Sequence, residues 1–152
     1  MEDILEFRGE YKFLSNYWPV DVLFEGLKYK STEAAFQAAK TMDMEKRKEF
    51  TTMKPGKAKK AGQFVELRED WEYIKNRVMY EVVKYKFSNN MELKSLLLNT
   101  FDVELEEGNN WNDTYWGICN GTGSNVLGLI LMRVRAELRV ERMRQFKIES
   151  NR

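Results

Sequence analysis

A chain of 152 residues, 43% hydrophobic and 32% charged, has material for one substantial core but not two, and it is too apolar to stay disordered. Its formal net charge of +1 gives no global field for nucleic acid or a membrane surface, so any phosphate must be held by a local cluster. Histidine is absent and Cys119 is the only cysteine, which excludes an internal disulfide, His-dependent triads and nearly every zinc site, and leaves proton transfer to carboxylates, lysine, tyrosine or water.

The longest apolar run, Val126 to Met132, is broken by Gly128 and is too short to span a bilayer. The first residues, with Glu2, Asp3 and Glu6, do not match a secretion signal, and a lone cysteine fits a reducing, cytoplasmic setting. The expectation is a cytoplasmic domain with no membrane partner. Nothing in the pattern specifies an oligomeric state.

In chain order, Ile4 to Phe7 reads as a short strand ended by Gly9, and Tyr11 to Pro19 (YKFLSNYWP) as an irregular aromatic and polar segment. Val20 to Phe24 and Leu27 to Tyr29 read as strands joined in a tight hairpin at Glu25-Gly26, because glycine tolerates positive φ. Ser31 or Thr32 then caps a helix running to about Met42. In it, Glu33, Gln37 and Lys40 are spaced by four and three and share one face, while Ala34, Ala35, Ala38 and Ala39 permit close approach by neighbours. If such a helix is buried, its polar stripe faces something polar. On spacing alone the stripe also reads as an ordinary solvated helix face.

Lys46 to Phe64 is basic and short of large apolar residues, with a break at Pro55-Gly56; its run of Lys54, Lys57, Lys59 and Lys60 reads as a solvated face in preference to a phosphate grip. Asp70 is placed to cap a core helix from Trp71 to about Ser88, with Ile74, Val78, Val82 and Tyr85 as its apolar repeat. A shorter helix over Met91 to Leu98 and a strand over Val103 to Glu106 follow. Asn120 to Asn125 turns into a last long helix carrying Leu127, Leu131, Val134 and Leu138. The expected architecture is α+β: a compact single domain over residues 1–140, with several helices around a small sheet built from the first third and residues near Val103, and a polar, frayed extension over 141–152.

Between the last two elements lies Glu107 to Gly117, EGNNWNDTYWG. It crowds two carboxylates, three asparagines and three aromatic rings into eleven residues. Large rings are not left exposed without reason and carboxylates are not buried without partners or a task, so the segment reads either as a pocket wall or as a surface loop whose tryptophans tuck back. No phosphate-binding glycine motif and no activated nucleophile accompanies it. What remains are carboxylates among aromatics: Glu33 on its helix, Asp70 beside Trp71, and Glu107 with Asp113 beside Trp111 and Trp116. Such acids suit glycosidic chemistry, and the rings suit a flat base, although the same groups can hold a nucleotide without cleaving it.

Gly9 with Tyr11 to Asn16 (YKFLSN), Ser31 to Lys40 (STEAAFQAAK), Lys57 to Gly62, Asp70-Trp71 with Met79 and Lys86-Phe87, Leu105 to Gly117, and Gly123 to Arg135 (GSNVLGLILMRVR) together resemble the YbiA-like, or NADAR, family. The likeness runs in order over roughly residues 7 to 138. It implies a compact α+β domain with N-glycosidase activity and no metal or organic cofactor. The substrates it implies are ribosylamino-pyrimidine phosphates of early riboflavin synthesis or ADP-ribose adducts on bases, so the expected partner is a small nucleotide-like molecule or ADP-ribosylated nucleic acid. Carried over by position, it points to Glu33 as the leading catalytic carboxylate, with Gln37 and Lys40 on the same face. It also points to Trp71, Asp113 and Trp116 as substrate-site residues supported by Asn16, Asp70 and Glu107. Two positions depart from the family: Ala34 stands where histidine is frequent, and Phe101 where glycine often follows the threonine matching Thr100.

The resemblance therefore implies hydrolysis of a ribosyl C1–N bond, with Glu33 or Asp113 positioning water and the base stacked on Trp71 or Trp116. On that reading Glu107 to Gly117 forms one wall of a nucleoside-sized pocket opposite the Glu33 helix, with Trp111 structural; Lys57 and Arg133 are candidate phosphate contacts. The alternative is a non-catalytic nucleotide or ADP-ribose binding module. A third reading is a nucleic-acid binder using the Lys54 to Lys60 run and the C-terminal helix.

Overall fold

The computed structural model describes residues 1–152 and shows an α+β protein with six α-helices, one 3-10 turn and two two-stranded sheets. The chain packs as two compact units, one of residues 12–86 and one of residues 1–11 with 87–152.

In the unit of residues 12–86, β1 (Val22–Phe24) and β2 (Leu27–Tyr29) form the expected antiparallel hairpin, with Val22 opposite Tyr29 and Phe24 opposite Leu27. Glu25 (φ 45°) and Gly26 (φ 86°) are both left-handed, the type I′ geometry whose twist matches that of the strands. Helix α1 (Thr32–Ala38) starts at Ser31, whose Oγ accepts the Ala34 N–H at 3.0 Å. It stops short of the expected Met42: Lys40 and Thr41 turn back in i→i−3 bonds to Gln37 and Ala38, and the Lys40 carbonyl accepts the Arg68 N–H at 2.8 Å. All seven residues of α1 are buried. Ala34, Ala35, Ala38 and Ala39 have no exposed surface, so neighbouring backbones approach closely.

The basic stretch is more ordered than its composition suggests. It folds into α2 (Met44–Phe50), capped by the Asp43 carboxylate on the Glu45 and Lys46 N–H groups, and α3 (Pro55–Gly62), with proline at its first position, where the missing N–H costs nothing. Both helices, like β1 and β2, pack on α1. Buried Ala58 and Gly62 supply the small surface on α3, and buried Arg47 and Phe50 anchor α2. Arg47 donates to the Thr41 carbonyl at 2.8 Å and to Glu25 at 2.9 Å, joining α2 to the hairpin turn.

Helix α4 runs from Trp71 to Ser88 as expected. Its buried face includes Trp71, Val78, Met79, Val82, Val83, Lys86 and Phe87, broader than the expected repeat, whose ends Ile74 and Tyr85 are only half-buried. Lys86 is 1% exposed; its Nζ donates to the Ser15 carbonyl at 2.9 Å, and burial pushes its pKa down to about 7.

In the other unit, α5 (Met91–Leu98), capped by Asn90, packs on α6 (Val126–Ser150). Leu127, Leu131, Val134 and Leu138 are buried as expected, and the helix continues unbroken to Ser150 with its last turns exposed. The single sheet expected from the first third and Val103 does not form. Ile4 and Leu105 make one parallel bridge, and the second sheet is the short parallel pair β3 (Gly108–Asn109) and β4 (Ile118–Cys119). Ile4 exchanges N–H and carbonyl bonds with Glu104 and Glu106 only, too few to extend a strand.

Candidate active site

Helix α1 positions the acid. The Glu33 N–H donates to the Asn16 carbonyl at 3.2 Å, while the Thr32 hydroxyl donates to Asn16 Oδ1 at 2.8 Å. Asn16 Nδ2 in turn meets the Met79 sulfur on α4 at 3.4 Å. Asn16 is thus a buried clamp between the loop before β1, the first turn of α1, and α4: its carbonyl meets Glu33, and its side chain meets Thr32 and Met79.

Glu33 is 8% exposed, and its Oε1 accepts the Gln37 Nε2–H at 2.8 Å. One helical turn separates the two, the spacing at which side chains of a helix meet. That bond fixes the amide orientation of Gln37 and a rotamer of Glu33 together. Gln37 is itself 5% exposed, and its Oε1 has no hydrogen-bond partner.

Lys40 completes the stripe. It is half-buried, with its Nζ 5.8 Å from the centre of the Phe36 ring. Burial lowers its pKa; Glu33 pulls the other way by favouring the ammonium, and Lys59 adds to the lowering. Tyr17, 43% exposed, has its phenol pKa raised by burial and then by the Glu33 charge. The Glu33 carboxylate therefore acts electrostatically on an amine and a phenol. Tyr17 and Lys59 were not singled out by sequence. Tyr17 adjoins Asn16 in the aromatic segment, and Lys59 was hidden in a run that reads as solvated; the half-burial of Lys59 among exposed Lys54, Lys57 and Lys60 is the difference.

Asp70 and Trp71 take other positions than an open platform. Asp70 is held by Arg68 in a two-point ion pair, Nε to Oδ1 at 2.6 Å and Nη2 to Oδ2 at 3.1 Å, and this pair holds its carboxyl below the ordinary range. Trp71 is 5% exposed and packs its ring 5.1 Å from that of Phe36, tilted by 55°. Trp71 thus packs on α1 through Phe36, and Arg68, which holds Asp70, binds the chain just past that helix through its N–H on the Lys40 carbonyl.

Glu107 to Gly117 forms a loop in the unit that holds α5 and α6, organised by a residue the sequence reading passed over. Asn109 Oδ1 accepts the N–H groups of Trp111 and Asp113, and its Nδ2 donates to the Asp113 carbonyl at 2.8 Å and to Glu107 Oε2 at 3.2 Å. Asp113 Oδ1 accepts the Tyr115 and Trp116 N–H groups at 3.2 and 2.9 Å. The carbonyls of Tyr115 and Trp116 then accept the Val126 and Leu127 N–H groups, satisfying donors that α6 would otherwise leave orphaned. Gly117 is required by contact: a Cβ there would meet the Glu107 backbone carbonyl and carboxylate. Trp116 is half-buried, edge-on to Tyr115 at 4.9 Å, while Trp111, expected to be structural, is 48% exposed.

A cleft of about 380 Å³ in the same unit is lined by Leu5, Arg8, Glu106, Asn109, Asn110 and Ile118 among others, and by none of the candidate residues. No group of three acidic or cysteine side chains converges to hold a metal ion, and no helix is long and apolar enough to cross a membrane.

The arrangement offers a buried carboxylate, oriented by Gln37, whose charge is felt by Lys40 and Tyr17; such a carboxylate can activate water and stabilise a developing cation. Residues 6–139 match the family model described as the NADAR domain. The chain is 37% identical over 139 residues to a protein named N-glycosidase YbiA from Shigella boydii, covering 88% of this chain and 85% of that one. It is 36% identical over 139 residues to the protein of the same name from Escherichia coli, with the same shares covered. A riboflavin biosynthesis protein of Vibrio vulnificus is 36% identical over 135 residues, spanning 83% of this chain and 35% of that longer one. Among solved structures, the NMR structure of the E. coli protein YbiA superposes with a TM-score of 0.83 at 33% identity, covering 94% of this chain and 89% of that one. With a family match over most of its length and a shared fold at that identity, the chain belongs to the NADAR domain family.

Proposed function

We propose that this protein is an N-glycosidase that hydrolyses the ribosyl C1–N bond of a nucleotide-like substrate, with Glu33 as the catalytic carboxylate. The observation that carries the proposal is the bond from Gln37 Nε2 to Glu33 Oε1 on a helix buried along its whole length. A carboxylate in that setting is preorganised, and preorganised charge is worth most where a cation develops. As the C1–N bond breaks, positive charge grows on the ribosyl ring and the bonding electrons leave with the base nitrogen. Glu33 stabilises that charge and takes a proton from the attacking water, whose oxygen bonds to C1; the leaving nitrogen takes a proton from solvent to give the free base, and Glu33 returns its own proton to solvent. Lys40 orients the carboxylate through its charge. We assign water activation to Glu33 in preference to Asp113, because Asp113 Oδ1 is already engaged by two loop N–H groups. Asp70 and Trp71 are assigned to support of the Glu33 helix.

The substrate class we favour is a ribosylamino-pyrimidine phosphate, in keeping with the names of relatives that act in riboflavin biosynthesis. The deciding experiment incubates the protein with a ribosylamino-pyrimidine phosphate, NAD and ADP-ribosylated DNA and separates the products. Release of free base and ribose 5-phosphate from the first is the expected result. Release of unmodified DNA moves the substrate class to ADP-ribosyl adducts. Tight binding of any of the three with no product makes the domain a nucleotide-binding module.

A further inference from the structure

We infer that Gly62, at the end of α3, is a positioning residue for the acid: its missing side chain is the space in which the Gln37 amide is seated so that Nε2 reaches Glu33. The inference rests on the catalytic reading of Glu33, but its geometry stands apart from it.

Three observations carry it. A Cβ built on Gly62 would collide with Gln37 Oε1, and would lie 2.8 Å from Gln37 Cδ and 3.1 Å from Gln37 Cβ. The backbone does not explain the glycine, because Gly62 is helical and is not among the positive-φ glycines, which are Gly9, Gly26, Gly121 and Gly123. Finally, Gln37 Oε1 is buried and has no hydrogen-bond partner. An amide carbonyl left so is costly, and the cost is borne because the other end of the amide must point at the carboxylate.

These facts fit together in one way. Gln37 has two ends, and a hydrogen bond to a carboxylate needs the NH₂ end on Glu33. The carbonyl end then faces α3, where any side chain larger than hydrogen would push it aside. Alanine at 62 suits a helix better than glycine by propensity. A loss caused by alanine here therefore reports the displacement of Gln37 and not a weakened α3. Gly62 and Gln37 form a single device, and damaging either end loosens Glu33 equally.

The test compares Gly62→Ala, Gln37→Ala and the double variant, with ribosylamino-pyrimidine phosphate as substrate and ¹⁵N–¹H NMR of the Gln37 side-chain amide. Losing one hydrogen bond to a carboxylate is expected to lower kcat by about ten- to a hundredfold in either single variant, with KM little changed. The double variant falls no further than the singles, since both remove the same contact. The Gln37 NH₂ resonance shifts in Gly62→Ala as it does in Glu33→Ala. Native kcat with an unshifted resonance in Gly62→Ala overturns the inference, as does a double variant that multiplies the two losses. Should Gly62→Ala fail to fold, the double variant, in which the obstructing amide is gone, is expected to fold; its failure also overturns the inference. Should the wild type release no product at all, the catalytic reading falls, and the resonance still decides whether Gly62 seats Gln37.

Discussion

Gln37 donates from Nε2 to Glu33 Oε1 at 2.8 Å while its own carbonyl oxygen stays without a partner. A buried polar atom is left unsatisfied next to a carboxylate that is held in place, which is the pattern expected where local stability has been given up for orientation.

Glu33→Gln keeps the size of the side chain and an oxygen that still accepts from Gln37, and removes only the charge. Turnover is expected to fall by about two orders of magnitude or more, with an unchanged melting temperature. Chromatographic measurement of free base in single-turnover reactions checks this. Native-rate release would move the catalytic role to another group.

Phe101 adopts φ 53°, and its ring is 62% exposed. The left-handed region costs a side-chain-bearing residue free energy that glycine does not lose, and little packing is given up at an exposed ring. Phe101→Gly should stabilise the protein by about 0.5 to 1 kcal/mol, after allowing for the greater unfolded freedom of glycine. Urea unfolding at neutral pH measures it, and a destabilised variant would refute the account.

Lys86 titrates at about 7 in the folded chain, against 10.5 for the free side chain. Below pH 7 both states are protonated and the folded state bears the full cost of the buried charge. Between pH 7 and 10.5 the unfolded state binds more protons, so this residue makes stability rise with pH. Lys86→Met should flatten the dependence by about 1 kcal/mol per pH unit in that window. Unfolding midpoints at pH 7, 8, 9 and 10 for both proteins decide it; parallel curves would show that Lys86 is not the source.

Asn109 ties Glu107, Trp111 and Asp113 together through one amide. Asn109→Ala leaves the Asp113 N–H and carbonyl without those partners and should cost about 1 to 3 kcal/mol. Tryptophan emission should change as Trp111 and Trp116 lose their fixed surroundings. An unaltered spectrum with native stability would mean that the loop is held elsewhere.

Much of this was legible from local chemistry. Glu25-Gly26 specified its turn because only certain residues accept positive φ, and Leu127 to Leu138 specified a buried face because the period was clean. Helices α2 and α3 were not legible as helices, because few large apolar residues marked a face; their buried contacts are Arg47, Phe50, Ala58 and Gly62, and an arginine or a glycine carries no hydrophobic signal. Ile4 and Leu105 each read as part of a strand, yet only one bridge forms, because alternation says nothing about how many partners a strand finds. The acid itself was visible only as a spacing. Whether Glu33, Gln37 and Lys40 face water or a core depends on what packs around α1, which no window of the chain contains.

Helix α1 has no exposed side chain at all. A segment packed on nearly every side, with Glu33 keeping 8% of its surface open, has little room for substitution, since most of its residues bound a neighbour. Changes in what the enzyme accepts are therefore easiest in the loops and outer lysines, and hardest in the turn that bears Glu33. In an engineered library, positions 32 to 38 are the ones to leave alone, and Tyr17 and Lys59 are where a new specificity should first be sought.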